Sequence, residues 1–172
     1  MTAPDDDWQW CPRCRGPLAR VVHGDLPRPA CPACGFLHFA NPGVGAAVVV
    51  QDATGRVLLV QRAVGQFGAG RWCFPCGYVE WGEDVRAAAV REAREEAGVD
   101  VVLGDVIQVA SNFHEPEKPT IGVWFAATLA DPAATPVAGD DADAVGWFDP
   151  GTPPPLAFPT DVELLSRIPG SP

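Results

Sequence analysis

The most constraining stretch of the chain reads Gly77-Tyr-Val-Glu-Trp-Gly-Glu83-Asp-Val-Arg-Ala-Ala-Ala-Val-Arg-Glu-Ala-Arg-Glu-Glu-Ala-Gly98-Val99. Glu83 to Ala97 contains neither proline nor glycine, and Gly98 follows as a C-cap residue, so the sequence predicts a helix there. At about 100° per residue, Val85, Ala88, Ala89, Glu92 and Glu96 share one arc, while Arg86, Arg91 and Arg94 point elsewhere. A charge run on a helix is ordinarily a solvated face. Here the small apolar stripe that would pack on a sheet continues directly into Glu92 and Glu96, with Glu95 flanking them. Carboxylates turned inward need a counterion. Clustered oxygens suit Mg²⁺ or Mn²⁺.

The rest of the chain predicts strands around that helix. Gly43 to Val50 reads as a buried strand, Asp52-Ala53-Thr54-Gly55 as a turn, and Val57 to Val60 as the returning strand. Residues 63–71, with three glycines, form a loop. Strands are expected at about 105–113 and 120–129, a Pro/Ala/Asp loop at 130–144, a short strand at Val145 to Phe148 and a short helix at about 160–168. Strands on both sides of one strong helix imply a mixed α/β sandwich.

Residues 8–40 differ in composition. Cys11-Pro-Arg-Cys14 and Cys31-Pro-Ala-Cys34 form C-x₂-C-x₁₆-C-x₂-C, a spacing in the zinc range. Two tight turns each aim two sulfurs at one point, and the segment between them is long enough for a hairpin. A closed shell of four thiolates from Cys11, Cys14, Cys31 and Cys34 implies a structural Zn²⁺ that supplies much of the module's folding energy. The alternative is two unrelated cysteine pairs. The expected organisation is a zinc ribbon at 1–40 and a main domain at 41–172.

Net charge decides which partners suit this chain. At −10 it repels nucleic-acid polymers and anionic membranes. It can still handle a small anionic substrate through a divalent cation. No apolar run reaches the length of a membrane span. The N-terminus lacks the basic and apolar regions of a secretory signal, and Asp5 to Asp7 read as a solvated tail, so a cytoplasmic location is expected. Six cysteines in a reducing compartment point to metal or redox chemistry.

The helix segment resembles the Nudix box, G-x₅-E-x₇-R-E-U-x-E-E-x-G-U, with U apolar. Gly77, Glu83, Arg91, Glu92, Ala93, Glu95, Glu96, Gly98 and Val99 fill every fixed position. The resemblance covers about residues 41–172. It implies an α/β/α sandwich with a mixed sheet, in which the box forms a loop–helix–loop. It further implies that Glu92, Glu95 and Glu96 bind Mg²⁺ or Mn²⁺ bridging to a substrate diphosphate. Glu83 would support them from the start of the helix, Gly77 would shape the site, and Arg91 would be a positioning residue able to pair with Glu95. Pyrophosphate hydrolysis needs charge neutralisation and a positioned water. The base that takes the water proton could be Glu95, Glu96, Asp140, Asp141 or Asp143.

One departure precedes the box. In Trp72-Cys73-Phe74-Pro75-Cys76-Gly77, Cys76 stands where the family usually has glycine. The same residues imitate a thioredoxin-type motif, which makes a redox dithiol at Cys73 and Cys76 a rival reading. Such a motif opens a helix directly, whereas six residues separate Cys76 from Glu83.

The box fixes the bond cut but not the molecule. A ribbon joined to such a domain resembles ADP-ribose, FAD and NADH pyrophosphatases. The NADH-type array is absent at Ala110 to Pro116, so ADP-ribose or FAD fits better. Phe36, Phe39, Phe113, Trp124 and Phe158 are candidate stacking residues, His114 is a possible ligand contact, and Leu156 to Thr160 is a segment that could close over a pocket. The small-molecule substrate could be met by a monomer or a homodimer. A catalytically weak nucleotide-binding regulator is the alternative function.

Overall fold

The computed structural model describes residues 8–115, 118–139 and 141–168; Asp5 to Asp7 and Asp140 lie outside the described residues. The chain divides into two compact units, Met1–Pro42 with Glu115–Lys118, and Gly43–His114 with Pro119–Pro172. The division thus falls two residues beyond position 40.

The first unit is built on a hairpin, β1 (Ala19–His23) and β2 (Leu26–Ala30), paired antiparallel from Ala19↔Ala30 to His23↔Leu26. Its strands are largely exposed, so the hairpin has little apolar core of its own. What order it has comes from two turns at its ends that repeat one hydrogen-bond pattern. Cys11 N–H donates to Gly16 O and Arg15 N–H to Cys11 O; Cys31 N–H donates to Phe36 O and Gly35 N–H to Cys31 O. Arg15 and Gly35 hold the same place in the two turns, both with positive φ (60° and 72°).

The second unit is α/β with a mixed sheet. β3 (Gly43–Val50) pairs in parallel with β8 (Thr120–Leu129) over eight residues, and antiparallel with β6 (Cys76–Tyr78). β7 (Val101–Asn112) pairs antiparallel with β8 and forms the edge, giving the order β6-β3-β8-β7. A second sheet orders β5 (Trp72–Cys73), β4 (Val57–Arg62) and β9 (Ala142–Phe148), all antiparallel. The expectation that Val57–Val60 returns beside Gly43–Val50 is corrected here: the backbones pair only at the Gln51↔Val57 bridge, and β4 then leaves for the second sheet. The turn residue Asp52 caps that exit by accepting from Thr54 N, Arg56 N and the Arg56 guanidinium.

The sheet faces alternate as strand geometry requires. Val48 and Val50 pack with Leu58, Val60, Phe125 and the alanines of α1 (Val85–Ala97). Ala47 and Val49 face the other way, with Phe74, Trp124 and the leucines of α2 (Pro159–Leu165). Ala88, Ala89, Ala93 and Ala97 are fully buried, and their small size lets the helix backbone lie close to β3. The helix begins two residues later than expected: Asp84 is its N-cap, accepting from Arg86 N and Ala87 N, which leaves Glu83 outside it. Gly98 ends it at φ 65°. No helix among the described residues is long and apolar enough to cross a membrane.

Candidate active site

Packing the alanine stripe of α1 on the sheet turns two glutamates toward the core. Glu96 is only 6% exposed, and Glu92 is half-buried. Burial is the main cause of a raised pKa at both, and it pushes Glu96 up to about 8, with the negative charges of Glu92 and Asp141 adding to the effect. Glu96 Oε2 accepts from Cys76 N at 2.9 Å, which ties the helix to β6. Glu95 sits on the solvent side, its side chain 42% exposed.

Arg91 is the counterion of this group. Its guanidinium donates to both oxygens of Glu83 (2.8 and 3.0 Å), to Glu92 Oε1 (2.6 Å), to Glu95 Oε2 (2.8 Å) and to Tyr78 O (2.9 Å). The fork with Glu83 holds that carboxyl down at about 2, and Glu80 N–H adds a further bond. Thus the pairing with Glu95 is one of several, and Glu83 reaches the glutamates through Arg91 although it precedes the helix.

Gly77 explains itself by close approach. A Cβ there would collide with the Glu92 carboxylate, so a side chain at 77 would push that carboxylate out of its place beside β6. The donor set is oxygen-rich, partly desolvated and short of positive charge, which fits a hard divalent cation. Among the described residues, however, only the four cysteines already bring their ligand atoms together. The glutamate oxygens are drawn apart by Arg91 and by Cys76 N.

Those four sulfurs lie within 4.8 Å of one another. Cys11 Sγ is 3.5 Å from Cys34 Sγ, and Cys14 Sγ is 3.5 Å from Cys31 Sγ. Each turn supplies one buried and one exposed cysteine. Four sulfurs this close together are consistent with a zinc ribbon.

Sequence reasoning missed Arg62 and Asp161. Arg62, at the end of β4, donates to Phe67 O (2.6 Å), reaches Cys73 Sγ (3.9 Å) and lies 4.9 Å over the Phe158 ring. Burial works against its charge, and the Cys73, Cys76 and Glu96 groups more than offset that. Asp161 is 1% exposed; it accepts from Trp124 Nε1 and Phe74 N, and burial pushes it up to about 7. Glu96 and Asp161 therefore hold the Phe74–Cys76 turn from the two helices. A cation ending a buried strand is a readable signal for Arg62. Nothing in Phe158-Pro159-Thr160-Asp161 marks the aspartate as buried.

The structure corrects two of the expected contacts, at Trp124 and at the 156–160 segment, and gives the positions of the other candidates. Trp124 is 4% exposed and its indole is committed to Asp161; it is a core residue with no face left for stacking. Leu156 to Thr160 is no free flap: Trp72 N–H donates to Pro155 O and Ala157 N–H to Trp72 O. That stitching fixes Phe158, which joins Phe67 and His114 in a ring cluster. Phe113 is 59% exposed. Phe36 and Phe39 belong to the first unit, under Arg13 and Arg28. Arg86 is exposed on the side away from the glutamates, yet it donates to Leu103 O and Gly104 O and lies over Phe125. Asp143 is exposed. Cys73 is fully buried on β5, Cys76 lies on β6, and α1 starts only at Val85, so neither thiol sits at a helix N-terminus. The hydrogen bond with the neighbouring Cys73, and then burial, raise the Cys76 thiol well above its ordinary range, the opposite of an activated thiol.

Comparison with known proteins agrees with this geometry. Residues 41–167 match the NUDIX domain family. An ADP-ribose pyrophosphatase of Methanocaldococcus jannaschii is 31% identical over 121 residues, covering 70% of this chain and 69% of that protein. An NAD-capped RNA hydrolase of Stutzerimonas stutzeri is 36% identical over 94 residues, 54% of this chain but 32% of that protein. The chain also spans only 23% of Nudix hydrolase 2 of Arabidopsis thaliana. The crystal structure of a NUDIX hydrolase from Nitrosomonas europaea superposes with a TM-score of 0.80 at 29% identity, covering 93% of this chain and 89% of that one. The matched domain, its glutamate helix and this superposition lead to one conclusion: the chain belongs to the Nudix hydrolase family.

Proposed function

We propose that the chain hydrolyses the pyrophosphate bond of a nucleoside diphosphate linked to a further group, such as ADP-ribose or FAD, with Mg²⁺ or Mn²⁺ as cofactor. The observation that carries this reading is the inward pair Glu92 and Glu96, half-buried and buried respectively, with raised pKa values. Desolvating two carboxylates a helical turn apart has a cost that a bound cation would offset. Glu92 and Glu96 would hold it, with Glu95 at the solvent side. Bound there, a divalent cation supplies charge neutralisation of the phosphoryl oxygens and a more acidic water.

The protein's own groups do the remaining work. Arg91, clamped by Glu83, positions Glu92 and Glu95. The water proton goes to one of Glu95, Glu96 or Asp141, the last close enough to bear on Glu96 electrostatically. Arg62 adds a fixed positive charge beside Glu96. The four-cysteine cluster would hold Zn²⁺ as a structural ion, since its closed sulfur shell leaves no place for substrate.

The test is phosphate or mononucleotide release from a panel containing ADP-ribose, FAD and NADH, with Mg²⁺ and with Mn²⁺. Turnover that needs the metal is the expected result. No hydrolysis of any compound under either metal would leave a nucleotide-binding regulator as the better description.

A further inference from the structure

Three aromatic rings from three separate segments meet on the second unit. Phe67 comes from the glycine-rich loop, His114 follows β7, and Phe158 precedes α2. The Phe67 and Phe158 rings are nearly parallel (10°) with centroids 6.1 Å apart. The His114 ring lies 4.9 Å from each. The cluster is not simply core, because Phe67 is 38% exposed while making these contacts. The two phenyl rings are also held from behind. Arg62 donates to Phe67 O, and Gly68, at φ +70°, is packed so closely that a Cβ would lie 2.9 Å from Ala157 Cβ. Phe158 is fixed by the backbone bonds between Trp72 and residues 155 and 157. Flat apolar faces left partly in water carry a hydration cost that burial against a flat ligand would recover.

We propose that Phe67, His114 and Phe158 form the subsite that takes the planar heteroaromatic base of the substrate. This rests on the proposed diphosphate hydrolysis, and it names the part of the substrate that gives selectivity. Arg62 connects the two ends. Its guanidinium lies over the Phe158 ring at 4.9 Å and within 3.9 Å of Cys73 Sγ, and its charge bears on Glu96. A cation between ring cluster and carboxylates suits an anionic linker between a base and the bond to be cut. Stacking of a base on a ring is tolerant of base identity, because every base has a π-face. Phe113, next in the chain, makes no ring contact of this kind among the described residues and is not part of the subsite.

The experiment measures two things on parent, Phe158→Leu, Phe67→Leu and Phe158→Tyr. The first is the ratio of kcat/KM for ADP-ribose to kcat/KM for a ringless dialkyl diphosphate. The second is calorimetric binding of AMP, UMP and FMN without turnover. A base stack is worth about 1–3 kcal/mol, so each Leu variant should lower the ratio about 5- to 150-fold and weaken nucleotide binding similarly. The Tyr variant, which keeps the ring, should restore both. Phe67→Leu, at an exposed position, covers the case in which Phe158→Leu fails to fold. An unchanged ratio, or nucleotide binding equal in parent and Leu variants or absent from all of them, overturns the subsite. If the parent cleaves neither diphosphate, the hydrolytic reading fails, while ring-dependent nucleotide binding still supports the subsite.

Discussion

Replacing Glu96 with Gln separates its burial from its charge. Gln keeps the size and can still accept from Cys76 N, which Glu96 does at 2.9 Å. It removes a carboxyl that burial pushes up to about 8 from an ordinary 4.5. The sign follows from the raised value. Stability is fully present below about pH 4.5, declines as pH rises toward 8, and is flat beyond it, because the unfolded chain ionises first. That span corresponds to about 5 kcal/mol at about 1.4 kcal/mol per pH unit. Asp161, raised to about 7, adds a slope of its own in both proteins, so the comparison isolates Glu96. The assay is urea unfolding in Mg²⁺-free buffer, with zinc left in place, at pH 5 and pH 8.5. The variant should be more stable than the parent by a few kcal/mol at pH 8.5 and similar at pH 5. Adding Mg²⁺ should stabilise the parent at pH 8.5 and leave the variant unmoved. Turnover should fall 10²- to 10³-fold, as for loss of an electrostatic transition-state contact worth about 2.7–4 kcal/mol. Equal pH slopes and equal Mg²⁺ responses in the two proteins would refute the reasoning.

Cys31→Ser should abolish binding of the one zinc expected per chain, by elemental analysis, and unfold the hairpin unit while α1 and its sheet keep their circular dichroism. Arg91→Lys should cut turnover at least tenfold, since a point charge cannot span the Glu83 fork, whereas Arg94→Ala, whose 62% exposed side chain pairs only with Asp100, should change rate less than twofold. Arg15→Gly should raise the thermal midpoint of the first unit, because a non-glycine residue at φ 60° costs about 1–2 kcal/mol; an unchanged or lower midpoint would show that its side chain compensates.

The helix and its inward face were legible because periodicity alone places Glu92 and Glu96 on the alanine line. The four cysteines were legible because spacing limits where sulfurs can point. What stayed hidden depended on contacts between distant segments. The exit of β4 into a second sheet follows from its pairing with β9, some 80 residues away in sequence. Trp124 looked like a stacking residue until its partner Asp161 was known. The acceptors of Arg86 stayed hidden because helical phase cannot see carbonyls at the bulge in β7. Glu83 fell outside the helix because Asp84 is the better N-cap.

β7 has a consequence for solution behaviour. It is twelve residues long, forms the edge of its sheet, and exposes Val102, Val106 and Val109. A straight edge of that kind would template aggregation. Its pairing with β8 breaks register between Leu103 and Val106 and again between Val106 and Gln108, and the first break carries Gly104 and Asp105. Each break adds a residue to one strand only, which bends the edge and interrupts its row of free amides and carbonyls. These irregularities therefore act as a colloidal safeguard. Deleting Asp105, which removes the first extra residue and its charge, should convert a monodisperse preparation into one whose light scattering grows with concentration.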